Sequence, residues 1–567
     1  MDAARSTSTQ PLRTIGVSLL FLVLSVLAHA EDITSTAKQL FDEARWQELV
    51  TLLQSPHPPS ADLDFYYGTA LAHLQRWPEA HAAFESGRRQ ASADKRFPSE
   101  LAGVEFKQKQ YSRAAGYLRI ALRLDPADAY ATDFLGTVYF LQGNLEAALK
   151  YWNKLDKPHL EQVLTQPRPD VDPELLDRAL VFAPATPLTS SQLLTSDVRV
   201  QKLGIFPSYR FDLEGRPDGK FDLTFRARER NGFGSSTWEA LFLVFRGLPF
   251  ETIYGDYYNL GKDAINIRSL FRWDAEKRRV LADIAGPLRG NPKQHFDVGV
   301  DLRGENWAIQ DSFTGPSTLL GGFNMRREAL SANFASLESG RWQWLVGAEL
   351  SHRDFRDVVP GLALTPSLLS KGYQLKQITQ LDASLWRLPE RRMTLDVVAT
   401  SQLGTIWSDP QHTFFKLQGS ARWHWFPQGT GDDYEVTQQL RSGKTFGDVP
   451  FDELFQLGIE RDNDLWMRGH IGTRDGRKGS APLGRAYFLS NSEIDKKIYS
   501  NGLVTVHLGP FVDTGKITDD TPGLGSEKWL WDVGAQVKLR VFGSGIGFSY
   551  GKDLRSGNNA FYVTLWQ

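Results

Sequence analysis

The stretch Phe415-Lys416-Leu417-Gln418-Gly419-Ser420-Ala421-Arg422-Trp423-His424-Trp425 has apolar or small residues at its odd positions and polar residues at its even positions. Because successive side chains of a β-strand point to opposite faces, this pattern predicts a strand with one apolar and one hydrophilic face. Residues 341–351 follow the same rule, with Leu345 as the exception. From about residue 231 onward, many such segments are separated by Gly, Pro, Asn and Asp, as expected of successive strands.

Two architectures produce strands of this kind. A soluble sandwich buries the apolar faces in a core, whereas a transmembrane barrel turns them toward lipid, lines its lumen with the polar faces and carries aromatic residues at both interfaces. Only three of the 16 Trp precede residue 232. This bias favours a C-terminal antiparallel transmembrane β-barrel over residues 232–567, with room for about 16 strands of ~9–11 residues and their turns.

The first 30 residues have the composition of an export signal. Arg5 and Arg13 precede the apolar run Ile15–Leu27, which ends in Ala28-His29-Ala30. This order is typical of a secretory signal peptide, and cleavage is expected after Ala30. A retained anchor is the alternative, but the run is shorter than the ~20 residues that a spanning helix needs. No later stretch without a charge reaches ~20 residues, so we expect any contact with lipid to be made by strands.

Composition excludes several classes of function. A formal net charge of −2 provides no overall attraction for nucleic acid. The absence of cysteine excludes disulfides, thiolate metal sites and a cysteine nucleophile. Gly547-Phe548-Ser549-Tyr550-Gly551 fits a serine hydrolase pattern, but no His follows Ser549. No H-E-x-x-H occurs among the 11 His. The sequence therefore predicts no enzyme, no cofactor and no metal site.

Residues 31–160 have helical periodicity and repeat with a period of 34 residues. Small residues at matched positions would allow close helix crossings, and a large residue would fill the gap that follows. These positions are Gly68, Ala80 and Phe84, then Ala102, Ala114 and Leu118, then Gly136, Ala148 and Trp152. The pattern resembles tetratricopeptide repeats, whose stacked helices form a concave groove. An unrelated helical bundle is the alternative.

A boundary and a small mixed domain follow. Three prolines between Gln166 and Pro173 predict a linker over residues 161–175. Within residues 176–231 we expect a short strand at Ala179–Ala183, a helix at Thr189–Leu203, and a hairpin in which Phe221–Arg226 is the second strand. This order resembles a POTRA domain, the periplasmic module of outer-membrane assembly and secretion pores.

Short motifs near the C-terminus resemble those of one superfamily. Leu465-Trp466-Met467-Arg468-Gly469-His470 is similar to the arginine–glycine loop motif of the superfamily that contains BamA, TamA and the two-partner-secretion transporters. Asn491-Ser492-Glu493 and Phe511-Val512-Asp513-Thr514-Gly515 resemble its two strand motifs. The resemblance extends over roughly residues 176–567. The final strand, with Phe561, Val563, Leu565 and Trp566, resembles the family's assembly signal, although the chain ends in Gln567.

Alternation along these strands predicts that Glu493 and Asp513 point into the lumen. The resemblance implies that Arg468 is their cation, carried by a long loop folded back inside the barrel. In a water-filled lumen such an ion pair contributes ~0–1 kcal/mol to stability unless it is shielded from water. Its role would therefore be to fix the position of the loop relative to the strands. The alternative is an ordinary turn at Arg468-Gly469 and a solvated Asp513. His470 departs from the family, which usually has an aromatic residue there.

The resemblance implies an outer-membrane assembly or translocation factor, either a β-barrel insertase or a secretion pore. Its partners would be outer-membrane lipid and unfolded client proteins, and the repeat groove would bind a client or a periplasmic protein. The N-terminal domains would lie in the periplasm. Two alternatives remain open at this point, a polysaccharide export pore and a surface anchor that transports nothing.

Overall fold

The structure is a computed structural model that describes residues 33–55, 59–310, 317–429, 431–526 and 528–566. The predicted signal peptide lies outside the described residues. The chain divides into two compact units, Met1–Leu155 and Asp156–Gln567. None of the described helices combines the length and apolar composition that a membrane crossing requires.

The first unit is helical, and neighbouring helices along the chain pack against each other. Its helices are α1 (33–42), α2 (Trp46–Leu53), α3 (Ala61–His73), α4 (Trp77–Gln90), α5 (Arg96–Lys107), α6 (Tyr111–Leu124), α7 (Ala129–Leu141) and α8 (Leu145–Trp152). The N-cap residues of α3 and α7 are Ser60 and Asp128, whose side chains accept hydrogen bonds from the first turn.

The repeat positions are the points where these helices come closest. A Cβ added at Gly68 would lie 2.6 Å from the ring of Phe84, and one added at Gly136 would lie 2.4 Å from the ring of Trp152. The distances explain why a small residue and a large residue alternate at a fixed spacing. All nine predicted packing residues are buried: Gly68, Ala80, Phe84, Ala102, Ala114, Leu118, Gly136, Ala148 and Trp152.

The second unit begins with a small mixed domain. Its elements are β1 (Leu160–Gln166), α9 (Pro173–Ala179), α10 (Ser190–Leu203), β2 (Ser208–Gly215) and β3 (Phe221–Arg228). The sheet order is β1-β3-β2, with β1 parallel and β2 antiparallel to β3. Thr189 and Gln192 form a capping box on α10, and Gly204 ends that helix in the left-handed conformation.

Two predictions for this region are wrong. Residues 161–175 are not a linker, because β1 pairs with β3 there and α9 begins at Pro173. The prolines follow the strand and start the helix, positions that tolerate a missing N–H group. Ala179–Ala183 is not a strand, because α9 ends at Ala179 and no strand follows it before β2.

Helix α11 (Thr237–Phe245) follows the small domain. Most of the remaining second unit is one large antiparallel sheet that closes into a barrel. Its strands are β4 (Thr252–Tyr254), β5 (Tyr257–Leu260), β6 (Ile265–Trp273), β7 (Lys277–Leu288), β8 (Asn291–Gln310), β9 (Leu319–Ser339), β10 (Trp342–Val359), β11 (Gly372–Leu388), β12 (Met393–Trp407), β13 (His412–Trp425), β14 (Tyr434–Gly447), β19 (Ala486–Ser500), β20 (Val504–Thr518), β21 (Leu530–Val541), β22 (Ser544–Asp553) and β23 (Asn559–Trp566). Between β14 and β19 lie the short strands β15 (Phe455–Gln456), β16 (Thr473–Arg474), β17 (Arg477–Lys478) and β18 (Leu483–Gly484).

The small domain packs against one end of the barrel. The backbone N–H of Gly340, in the tight turn between β9 and β10, donates to the Thr195 hydroxyl at 3.0 Å. The Asn266 amide donates to the Leu203 carbonyl at 2.8 Å, and the Arg230 guanidinium donates to the Phe542 carbonyl at 2.5 Å. These contacts place the small domain at the end of the barrel where short turns join the strands.

The helix crossings yield a first prediction. We expect Gly136→Ala to destabilise the helical unit by about 1–3 kcal/mol, because the added methyl overlaps the Trp152 ring. The matched control is Gly116→Ala in α6, where an added Cβ has no heavy atom within 4 Å. We expect this control to stabilise the helix by about 0.5–1 kcal/mol. Urea unfolding followed by helical circular dichroism measures both, and equal effects would contradict the close-crossing interpretation.

Candidate functional site

Residues 448–485, here called the inner loop, connect β14 to β19 and contact the barrel wall in several directions. Asp462 pairs with side chains of β6 and β7. Glu453 pairs with side chains of β11 and β13. Arg468 pairs with side chains of β19 and β20. Since these strands lie around the sheet, the inner loop lies inside the barrel.

Arg468 is held by five hydrogen bonds to the wall. Its Nε donates to Asp513 Oδ2 at 2.8 Å and its Nη2 donates to Asp513 Oδ1 at 2.5 Å, which makes the pair bidentate. Its Nη1 donates to Glu493 at 2.6 Å and to Gln536 at 2.7 Å. Its backbone N–H also donates to Asp513, at 3.0 Å. A lysine, with its single point of charge, cannot reproduce this planar set of contacts.

The Arg468–Asp513 pair is dry, which differs from the expectation of a wet lumen. Arg468 is 1% exposed and Asp513 is 0% exposed. Water is excluded by an apolar cluster that combines loop and wall residues, Phe455, Leu457, Leu465, Met467, Tyr487, Leu489, Ile517 and Leu530. The estimate of ~0–1 kcal/mol for a solvated pair does not apply here, since removing one partner of a buried pair costs about 3–5 kcal/mol.

The other predicted motif residues surround this pair. The guanidinium of Arg468 lies 3.7 Å from the ring centroid of Phe511, a distance typical of a cation–π contact. A Cβ on Gly515 would lie 3.3 Å from the sulfur of Met467 and 3.0 Å from a wall carbonyl. Glycine at position 515 therefore lets the loop approach the strand closely.

Gly469 and His470 contact the neighbouring strand, β21, through Asp532. The Gly469 N–H donates to Asp532 Oδ2 at 2.6 Å, and His470 Nδ1 lies 3.1 Å from the same oxygen. Both His470 and Asp532 are fully buried. A Cβ at position 469 would lie 2.6 Å from Asp532 Oδ1, so only glycine fits. His470, the departure from the family pattern, thus has a specific polar partner.

A second anchor of the inner loop is formed by Asp462. Its carboxylate oxygens lie 2.7 Å from Arg279, 2.7 Å from Arg272 and 2.6 Å from Lys277. Burial raises the pKa of Asp462, but the charges of Lys277 and Arg279 lower it by more, so this pKa lies well below its usual range. The carboxylate therefore stays ionised and holds this part of the loop to β6 and β7.

A third anchor lies at the start of the inner loop. Asp452 lies 3.1 Å from both Arg327 of β9 and Arg353 of β10. Glu453 lies 2.9 Å from Lys376 of β11, and Lys416 of β13 donates to the Glu453 carbonyl at 3.0 Å. Phe451 packs beside them against Trp307 and Phe323. This anchor fastens the loop to the side of the barrel that Arg468 does not contact.

The structure brings together all eight predicted residues of the loop and lumen strands: Met467, Arg468, Gly469, His470, Glu493, Phe511, Asp513 and Gly515. The predicted residues of the last strand lie elsewhere. In β23, Phe561 pairs in register with Tyr550, and Val563 with Phe548, and the Phe561 side chain is 60% exposed. Gln567 and the side chain of Trp566 lie outside the described part of the chain.

Sequence reasoning missed the anchors at Asp452, Glu453 and Asp462, and it missed Asp532. Strand alternation carried a signal for Asp532, since Trp531 and Val533 are apolar on either side of it. The loop carboxylates have no such periodic signal, because their partners are 37 to 190 residues away in sequence.

Comparisons with known proteins show similarity to solved structures only. No protein-family model and no curated protein matches the chain. Among solved structures, the chain is similar to BamA from Haemophilus ducreyi lacking POTRA domains 1–3, at 11% identity and a TM-score of 0.41, over 72% of this chain and 83% of that chain. It is similar to CdiB from Escherichia coli at 13% identity and a TM-score of 0.47, over 72% and 76%. It is also similar to CdiB from Acinetobacter baumannii at 12% identity and a TM-score of 0.39, over 74% and 80%.

The buried pair yields a second prediction. We expect Asp513→Asn and Arg468→Ala each to destabilise the barrel by about 3–5 kcal/mol, because each leaves a buried charge without its partner. We expect Arg468→Lys to restore only part of this loss. The temperature at which the protein in detergent loses its compact migration on a gel reports the change.

The control for this prediction is Arg326→Ala. Arg326 is 62% exposed and pairs with Glu328 at 2.7 Å, so we expect a change of only ~0–1 kcal/mol. If the Arg468 variants behaved like this control, the inner loop would not depend on its buried pair.

Proposed function

We propose that this chain is an outer-membrane assembly or translocation factor that inserts or exports client proteins through a transmembrane β-barrel. The observation that carries the proposal is the inner loop, which is held to opposite sides of the wall by buried ion pairs. Such a loop closes the lumen in one state and would clear it when its pairs separate. The motif resemblance of Arg468-Gly469 to protein-transport barrels supports proteins as the cargo.

The outer face of the sheet supports a lipid environment. On β8, Val298, Val300 and Leu302 are 40–44% exposed, while Asp301 and Glu305 point inward to ion pairs. Similar outward apolar residues recur around the sheet, including Leu330, Leu350, Leu381, Leu403, Leu417, Leu440, Ile494, Leu508 and Phe548. A continuous exposed apolar belt is costly in water and favourable in a bilayer. The number of about 16 strands stays a prediction.

The small domain offers an edge for client capture. The second strand of the predicted hairpin, Phe221–Arg226, is not available for this role, because β3 lies in the centre of the sheet and has partners on both sides. Strand β2 pairs with β3 only, among the described residues. The edge of β1 is partly covered, since its Leu160 N–H donates to the Thr186 carbonyl and its Leu160 carbonyl accepts from Ala185. We infer that an extended client segment adds to β2 by backbone hydrogen bonds.

The helical unit serves recruitment in this proposal. Its 34-residue spacing and its Gly–aromatic crossings are typical of tetratricopeptide repeats, which bind protein segments in a concave groove. Both N-terminal domains would lie in the periplasm, and a client or a periplasmic protein would occupy the groove. The proposal involves no nucleotide and no catalysis, so the folding of the client on insertion, or its binding outside the cell, would drive the process.

The membrane environment yields a third prediction. The natural chain has no cysteine, so single labels are specific. We expect a label at Leu417→Cys, which is 48% exposed on the outer face, to be quenched by lipids that carry a spin label in their acyl chains. A label at Gln418→Cys, the next residue on the inward face, should not be quenched. Equal quenching at both positions, or none at either, would contradict the lipid-facing assignment.

Client capture yields a fourth prediction. We expect a photo-crosslinking residue at Arg210 of β2, whose side chain is 70% exposed, to trap unfolded outer-membrane or secreted proteins in cells. The same residue at Glu174 of α9, also 70% exposed, is the matched control and should trap far less. Adducts with polysaccharide only, or equal adducts at both positions, would exclude strand addition to β2.

A further inference from the structure

Three aspartates form a row across neighbouring barrel strands. Asp513 of β20 pairs in register with Asp532 of β21, and Asp532 pairs in register with Asp553 of β22. Their exposures are 0%, 0% and 2%. Like charges directly opposite each other destabilise a sheet, and buried charges need partners. The row therefore requires positive charge from another source.

Arg468 supplies that charge for only one member of the row. Its guanidinium is bidentate to Asp513 and also binds Glu493. Within the described part of the chain, no Lys or Arg forms an ion pair with Asp532 or Asp553. The basic side chain that contacts Asp532 is His470, with Nδ1 at 3.1 Å from Oδ2. A singly charged imidazolium would still leave one of two buried carboxylates uncompensated.

Asp532 and Asp553 differ in how their oxygens are used. Asp532 Oδ2 accepts from the Gly469 N–H, whereas Oδ1 is buried and has no hydrogen-bond partner. Asp553 accepts from the N–H groups of Arg555 and Ser556 and from the Ser556 hydroxyl, which leaves lone pairs on both oxygens. The free oxygen of Asp532 is an unpartnered acceptor in a fully buried side chain. Such an acceptor is expected to have a cation or a donor as its partner.

We propose that His470, Asp532 and Asp553 bind one divalent transition-metal ion, with Zn²⁺ as the best-suited example. One ligand atom from each residue lies within 4.8 Å of the other two, and these residues form the only such group of His and carboxylates among those the structure describes. One imidazole nitrogen and two carboxylate oxygens are ligands that Zn²⁺ accepts, whereas Ca²⁺ and Mg²⁺ prefer oxygen alone. Two positive charges neutralise both carboxylates. The ion would fasten the inner loop to β21 and β22, beyond the anchor that Arg468 provides.

The test measures Zn²⁺ in the mature protein purified from membranes in detergent. After removal of metals by a chelator, incubation with Zn²⁺ and gel filtration, we expect about one Zn²⁺ per chain to be retained in excess Mg²⁺ and Ca²⁺. His470→Phe and Asp532→Asn should each lose this ion. The matched control is His424→Phe, because His424 also contacts a carboxylate, Glu435 at 2.9 Å, but does not belong to a group that could hold a metal ion. This variant should keep the ion.

The wild-type protein alone also provides a readout, in case the variants fail to fold. Co²⁺ loaded in place of Zn²⁺ should give the absorption spectrum of an ion with nitrogen and oxygen ligands. Zn²⁺ should also raise the temperature at which the barrel unfolds, since an ion that binds only the folded state stabilises it. The proposal is overturned if the wild type retains no Zn²⁺, if Ca²⁺ or Mg²⁺ displaces it, or if His470→Phe binds it as well as His424→Phe does.

Discussion

The structure depends on one dry ion pair between a loop and a strand, Arg468 with Asp513. Each charge would be costly inside the barrel without the other, and each is fully shielded from water. The bidentate geometry determines both the depth and the rotation of the inner loop relative to β20. The position of Gly469 beside Asp532 and the close approach of Met467 to Gly515 follow from that arrangement.

Buried ion pairs also hold the other anchors of the inner loop, but there the charges of loop and wall are exchanged. At Arg468 the loop contributes the cation and the wall the carboxylates, whereas at Asp462 and Glu453 the loop contributes the carboxylate and the wall the cations. Most of the wall residues of β6–β13 that pair with the loop are basic and those of β19–β21 are acidic, although Glu305 of β8 pairs with the loop's Lys478. This distribution favours the observed orientation of the loop, because a rotated loop would place many like charges together.

Much of the barrel was predictable from sequence, because strand alternation is a strictly local signal, whereas Arg468 as the partner of Asp513 was implied only by the motif resemblance. The alternation around Val512 placed Asp513 inward, and the register of β19 with β20 brings Glu493 opposite Phe511. The sequence did not reveal that the pair is dry, since the shielding residues come from distant segments. The predicted position of the first strand in the small domain is also wrong, because the prolines next to β1 are typical of a linker but here follow the end of a strand.

The wide separation of the loop's partners in sequence has a consequence for the order of folding. Asp462 needs Arg272, about 190 residues before it, while Arg468 needs Gln536, 68 residues after it. Contacts of such long range form late, because the chain must first close large loops. A half-assembled wall would leave charged groups of the loop without partners in a poorly hydrated interior. We therefore expect the buried ion pairs of the loop to be complete only when the strands at both ends of the sheet are in place.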